Sequence, residues 1–212
     1  MGNPTVELVY GPATELVRQD PHNKDVVATP FSVLKAQEGL IKIYYGVQHE
    51  DKVTAYHVIV WESYEHHKKL MDDTTTYPKL TGSVESVFDK SKGPVTMLHV
   101  DTTNEPYKAF EAPVVEIATF TLREGQSKSE LEGLVKTLAD AINANEPGTN
   151  GAFHASWGPA REKDNAFVLF IGWSSVDAHW NLVKSDPGAI ALIGRCRAIS
   201  DVEVVHVPLA LY

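Results

Sequence analysis

The sequence predicts an α+β fold: two tandem βαββαβ repeats whose sheets close face to face into one eight-stranded barrel with outer helices. Three observations predict it. Gly39 to Leu70 lies over Gly151 to Leu182 without a gap, matching Gly46 with Gly158, Trp61 with Trp173, Ser63 with Ser175 and His67 with His179. Each copy alternates strand-like and helix-like periodicity in the same order. Finally, Val58-Ile59-Val60-Trp61 and Ala166-Phe167-Val168-Leu169-Phe170-Ile171 are apolar on both parities, whereas a strand with one wet face should alternate. Something must cover the second face of each sheet, and the other repeat is the nearest candidate. A repeat of this size is a whole small domain, so the expected domains are residues 1–106 and 107–212.

In the first copy, Pro4-Thr5-Val6-Glu7-Leu8 opens as a strand and answers Pro113-Val114-Val115-Glu116-Ile117 of the second. Gly11 to Ala28 is polar and interrupted by proline, so a helix is expected only from Thr29, with Pro30 at its first position, through Phe31 and Leu34 to Gly39. A shorter first helix should leave the more open cavity in this half. A hairpin turning near Glu50-Asp51 follows, then a helix carrying His67, then a last strand over Val95 to Val100 with His99.

The second copy repeats the order. Val114 to Leu122 is a β-branched strand, and Ser129 with Glu132 reads as a capping box ahead of Leu131, Leu134, Val135, Leu138 and Ile142 at helical spacing. Asn145-Glu146-Pro147-Gly148 ends that helix. A hairpin of Ala152 to Trp157 and Ala166 to Trp173 comes next, Ser175 caps a second helix, and Val202 to Val207 with His206 closes the unit.

The net charge of −9, with acids in excess in both halves, makes nucleic acid and anionic membrane poor partners. The single cysteine, Cys196, allows no intrachain disulfide. No apolar leader and no run of about 18 apolar residues is present, so a soluble cytoplasmic protein is expected.

Trp157-Gly158, Glu162, Phe167 to Trp173, Ser175-Val176, Ala178-His179 and Val202-Glu203-Val204-Val205-His206 resemble the antibiotic-biosynthesis-monooxygenase-like branch of the dimeric α+β barrel proteins. Val60-Trp61, Ser63, Glu65, His67 and His99 carry the same likeness more weakly in the first copy. The resemblance implies ferredoxin-like repeats, with one chain supplying as a pseudo-dimer what two subunits supply in most relatives, and further homo-oligomerisation left open. It is specific for the fold. For activity it spans cofactor-free oxygenases, haem-degrading enzymes, cyclases and isomerases. Haem-degrading relatives carry a first-strand Asn and a His after the second helix; neither stands at the matching places here, so no haem is expected.

Residues shared by both copies read first as fold residues. Trp61 and Trp173 end matching strands and could wall a pocket; His67 and His179 lie on a helix face that meets the sheet; His99 and His206 sit in last strands. Residues that differ between copies are better candidates for a single site. If the hairpin turns at Glu50-Asp51, Tyr44 stands opposite His57, where the second copy has Ser156 and Leu169. A phenol beside an imidazole is acid–base equipment, with His57 as base and Tyr44 as hydrogen-bond donor. His154 is the runner-up. Histidines on separate strands form no metal cluster by spacing alone, so neither metal nor cofactor is expected. The expected function is a cofactor-independent oxygenase, cyclase or isomerase acting on a small apolar or aromatic metabolite; a non-catalytic small-molecule binder or stress-associated protein is the alternative. Convergence of His57 and Tyr44 on one cavity separates the two.

Overall fold

The computed structural model describes residues 3–212 as two compact units, one running to His99 and taking back Ala210–Tyr212, the other comprising Val100–Leu209. The first contains β1 (Thr5–Pro12), α1 (Glu15–Gln19), α2 (Lys24–Lys35), β2 (Leu40–Val47), β3 (Thr54–Trp61), α3 (Tyr64–Met71), α4 (Tyr77–Ser83) and the start of β4 (Thr96–Asp101). The second contains α5 (Tyr107–Phe110), β5 (Val114–Leu122), α6 (Lys128–Asn143), β6 (Ala152–Pro159), β7 (Ala166–Trp173), α7 (Val176–Ser185), α8 (Pro187–Ile199) and β8 (Ser200–Val207). A last short strand, β9 (Ala210–Leu211), pairs with the β2 edge of the first unit and covers it.

The strands form two separate sheets, ordered β4-β1-β3-β2-β9 and β6-β7-β5-β8, rather than the single closed eight-stranded barrel expected. Within each unit the first strand lies between the third and the last, so both sheets have the same core order. Gly39 and Gly151 show the same repetition in fine detail: both have φ near +80° (78 and 84), and their carbonyls accept from Glu62 N and Ser174 N at 2.7 and 2.8 Å. Each unit has its own apolar core between its helices and one face of its sheet, centred on Phe31, Tyr45 and Phe88 in the first and on Leu131, Phe167 and Leu169 in the second.

Two helix starts differ from expectation. α2 begins at Lys24, not Thr29, because Asn23 caps it, its side chain accepting from Asp25 N at 3.0 Å. Pro30 therefore sits inside the helix and cannot donate to the Val26 carbonyl. The Ser86 hydroxyl does so instead, at 2.8 Å, which explains how the helix tolerates proline there. In α6 the cap is Ser127, accepting from Glu130 N at 3.3 Å, rather than Ser129. The segment between α7 and β8, where no element is expected from the sequence, is the helix α8, started by Asp186 accepting from Ala189 N at 2.7 Å with Pro187 in its first turn.

Candidate functional site

The expected Tyr44–His57 pair does not form. β2 and β3 pair with Tyr45 opposite His57 and Tyr44 opposite Val58, one residue out of the expected register. A one-residue slip turns every side chain to the other face, so Tyr44 and His57 lie on opposite faces of the sheet. The matching pair in the second unit slips equally, Ser156 standing opposite Phe170 and Trp157 opposite Leu169. His57 packs edge-on against Phe31 at 4.7 Å and beside Phe88 at 5.0 Å, and its Nε2 is enclosed without a hydrogen-bond partner. Burial holds its imidazole down at about 3, so it stays neutral at physiological pH. Tyr45, its true neighbour, spends its hydroxyl on the His22 carbonyl at 2.8 Å.

What the fold brings together instead is a set of four residues, present once in each unit. In the first, Trp61 Nε1 donates to Glu7 Oε2 at 2.8 Å, the His67 ring stacks on Trp61 at 5.0 Å, and His67 Nδ1 lies 2.7 Å from His99 Nε2. In the second, Trp173 Nε1 donates to Glu116 Oε2 at 2.8 Å, His179 lies 5.0 Å from the Trp173 ring, and His179 Nδ1 is 2.7 Å from His206 Nε2. The topology assembles this set because the carboxylate sits in the central strand, the tryptophan at the end of the third, one histidine on the following helix and the other in the last strand. Glu116 pairs directly with His206 across β5 and β8. A carboxylate in such a strand costs several kcal/mol unless paired or protonated, and the indole N–H supplies the partner.

The two sets differ in their surroundings. In the first unit His67 and His99 are fully enclosed, and Leu80, Val87 and Phe88 fill the same core cluster as Trp61. In the second, Glu116, Trp173 and His179 line a cavity of about 1090 Å³. Its other walls are mainly apolar, with Phe120, Leu169 and Ile171 from the sheet, Leu138 and Ile142 from α6, and Ala189, Leu192 and Ile193 from α8, and Lys184, Asp186, Arg195 and Arg197 line it as well. A Cβ added at Gly194 would meet nothing within 4 Å. Trp180 adds an aromatic wall against His179, 4.6 Å from its ring; Lys68 takes the matching place in the first copy. The large cavity thus belongs to the second unit, not to the N-terminal half where the shorter helix was expected to open one.

Burial in this apolar cavity raises the Glu116 carboxyl from 4.5 to about 7, and the Trp173 hydrogen bond opposes that rise. His179 Nε2 stands 3.5 Å from Glu116 Oε2 while its Nδ1 faces His206. The three form a chain, carboxylate to imidazole to imidazole, along which a proton can move away from the cavity. His154 lies apart from it: its Nε2 is 3.0 Å from the Glu105 carbonyl and 3.3 Å from the Asn104 amide. Sequence reasoning missed Glu7 and Glu116 although a signal was present, since a glutamate recurs at the same place in two otherwise apolar first strands.

No family model matches this chain, and no curated protein matches it. Among solved structures it is similar to a provisionally assigned monooxygenase from Fusobacterium nucleatum, with 11% identity and a TM-score of 0.69 over 99% of this chain and 94% of that one. A second provisionally assigned monooxygenase, from Lactobacillus acidophilus, matches at 14% identity and a TM-score of 0.66 over 99% and 95% of the two chains. An anthrone oxidase-like protein matches at 15% identity and a TM-score of 0.65 over 99% and 92%. At such identities the likeness establishes a shared fold along nearly the whole chain.

Proposed function

We propose that the chain is an oxygenase-type enzyme that binds a small apolar or aromatic metabolite in the cavity of the second unit and uses Glu116 as its base. The observation that carries this reading is a carboxyl group held near neutrality at about 7 in the wall of a large apolar cavity. A base serves best when its pKa lies near the working pH. An enolisable or phenolic substrate would give its proton to Glu116, and the resulting enolate or phenolate would combine with dioxygen, the oxidant, forming a carbon–oxygen bond in a hydroperoxide that takes up one proton, so the protein's part is deprotonation, orientation and exclusion of water. His179 takes the proton onward to His206. The aromatic walls, Trp173, Trp180 and Phe120, suit a flat ring system.

The names of the structural neighbours support the same class, and a cytoplasmic location is part of the proposal. Cyclisation or isomerisation would use the same base without consuming oxygen. A non-catalytic binder is the second reading, favoured by the presence of the same Trp–Glu–His–His set in the first unit, where it is enclosed and faces no comparable cavity.

Oxygen uptake with anthrone, a tricyclic enolisable ketone, tests the proposal. Uptake by the wild type that falls by about 10²–10⁴-fold in Glu116→Gln, with anthrone still bound, supports it. Binding of anthrone with no turnover in the wild type, or turnover untouched by the substitution, would overturn it.

A further inference from the structure

We infer that the first unit carries a binding site for a divalent first-row transition-metal ion, formed by Glu7, His67 and His99. The three side chains come from β1, α3 and β4, are buried, and place their ligand atoms within 4.8 Å of one another. Two imidazoles and a carboxylate form a donor set suited to zinc and its neighbours.

The geometry that singles out this unit is the use of one atom twice. His67 Nδ1 lies 2.7 Å from His99 Nε2 and also 3.4 Å from Glu7 Oε2. A single proton between the two imidazoles serves that pair, while the Glu7 oxygen stands 3.4 Å from the same His67 nitrogen. Glu7 Oε2 already accepts from Trp61, so a second donor is not what the oxygen lacks. A cation accepts a lone pair from all three atoms at once. His67 Nε2 is enclosed and meets no hydrogen-bond partner, so nothing at that end fixes the tautomer; coordination at Nδ1 would.

Bonds of about 2.1 Å to a tetrahedral ion place ligand atoms about 3.4 Å apart. The Glu7–His67 separation already has that value, and the two imidazoles, now 2.7 Å apart, need to part by about 0.7 Å. Glu116, His179 and His206 of the second unit also bring a ligand atom each within 4.8 Å of one another, but through two different atoms of the middle ring. His179 turns Nε2 to Glu116 and Nδ1 to His206, so one neutral ring can donate at one end and accept at the other, and its chain is complete without an ion. The duplicated set has therefore diverged into an enclosed ion site in one copy and a proton chain beside a cavity in the other.

Metal analysis of the full chain decides the matter. The folded protein, expressed with zinc or titrated with cobalt(II), should hold one equivalent after exhaustive dialysis. Cobalt should give the visible bands of a four-coordinate ion, and X-ray absorption at the metal edge should count two imidazoles. Glu7→Gln keeps the side-chain shape and a carbonyl for Trp61 but removes the anionic ligand, so it should lose the equivalent, while His206→Ala should keep it. No bound equivalent in the wild type overturns the site, as does unchanged binding in Glu7→Gln or loss in His206→Ala. If Glu7→Gln fails to fold, the wild-type stoichiometry and the imidazole count still decide.

Discussion

Trp173 Nε1 donates to Glu116 Oε2 at 2.8 Å, and Trp61 makes the same bond to Glu7 at the same distance. The indole is thus the fixed partner of a buried carboxylate in both units, and this explains why a tryptophan ends the third strand twice. Only one of the two carboxylates lines the large cavity. The bond is common to both units; the cavity belongs to the second alone.

Activity should follow the second unit alone. Glu116→Gln should lower turnover by about 10²–10⁴-fold with binding retained, while His57→Leu and Tyr44→Phe, which remove groups from opposite faces of the other unit's sheet, should leave kcat within about twofold. Steady-state kinetics on the three variants check this. A large loss in His57→Leu with the fold intact would return the site to the first unit.

Trp173→Phe removes the donor that opposes the upward shift of the Glu116 carboxyl. The basic form is then reached at higher pH, so the acidic limb of the pH–rate profile should move up from about 7 by about one unit, as expected for the loss of one hydrogen bond to a charged group. Trp61→Phe should not move it. A profile that stays in place in Trp173→Phe would show that another group controls the rate.

Much of the fold was legible. Val114–Leu122 is the strand expected, residue for residue, and Ser175 caps the helix it was expected to cap, accepting from Ala178 N at 3.0 Å. Periodicity and capping are local and survive folding. The hairpin register was not legible, because it depends on a loop's internal hydrogen bonds. Asp51 Oδ1 accepts from both Val53 N and Thr54 N, and Lys52 adopts φ of 59°, which moves the turn by one residue from the place sequence symmetry suggests. The helix start at Asn23 was hidden by Pro30, whose tolerance inside a helix depends on Ser86 reaching the Val26 carbonyl from 60 residues away in the chain. The cavity was hidden for a similar reason: it is lined by α6, α8 and the sheet together, and how far two helices stand from a sheet is a tertiary fact. Glu116 could have been found.

Gly194 stands within α8, lines the cavity and has open space around its Cβ position. Gly194→Ala should therefore stabilise the protein by about 0.5–1 kcal/mol through helix propensity and leave turnover of a small substrate unchanged. Gly194→Phe should keep the fold and raise KM for large ring systems more than for small ones. Thermal melts and KM values across substrates of graded size would check both.

Acid and alkali should weaken the protein through different residues. His57 is neutral when folded, its pKa lowered from 6.5 to about 3 by burial, so between those values the unfolded chain binds a proton that the folded one does not. Stability therefore falls as pH drops through that window, by something on the order of 5 kcal/mol. Glu116 works the other way. Its folded pKa is raised from 4.5 to about 7, so the folded state holds the extra proton, and the stability this gives is complete below 4.5 and lost as pH rises through about 7, on the order of 3 kcal/mol. Denaturant melts from pH 4 to pH 8 should show His57→Leu flattening the acid side and Glu116→Gln flattening the neutral side. If Glu116→Gln leaves the slope between pH 5 and 7 unchanged, Glu116 is not the buried titrating acid, and the base assigned to the cavity falls with it.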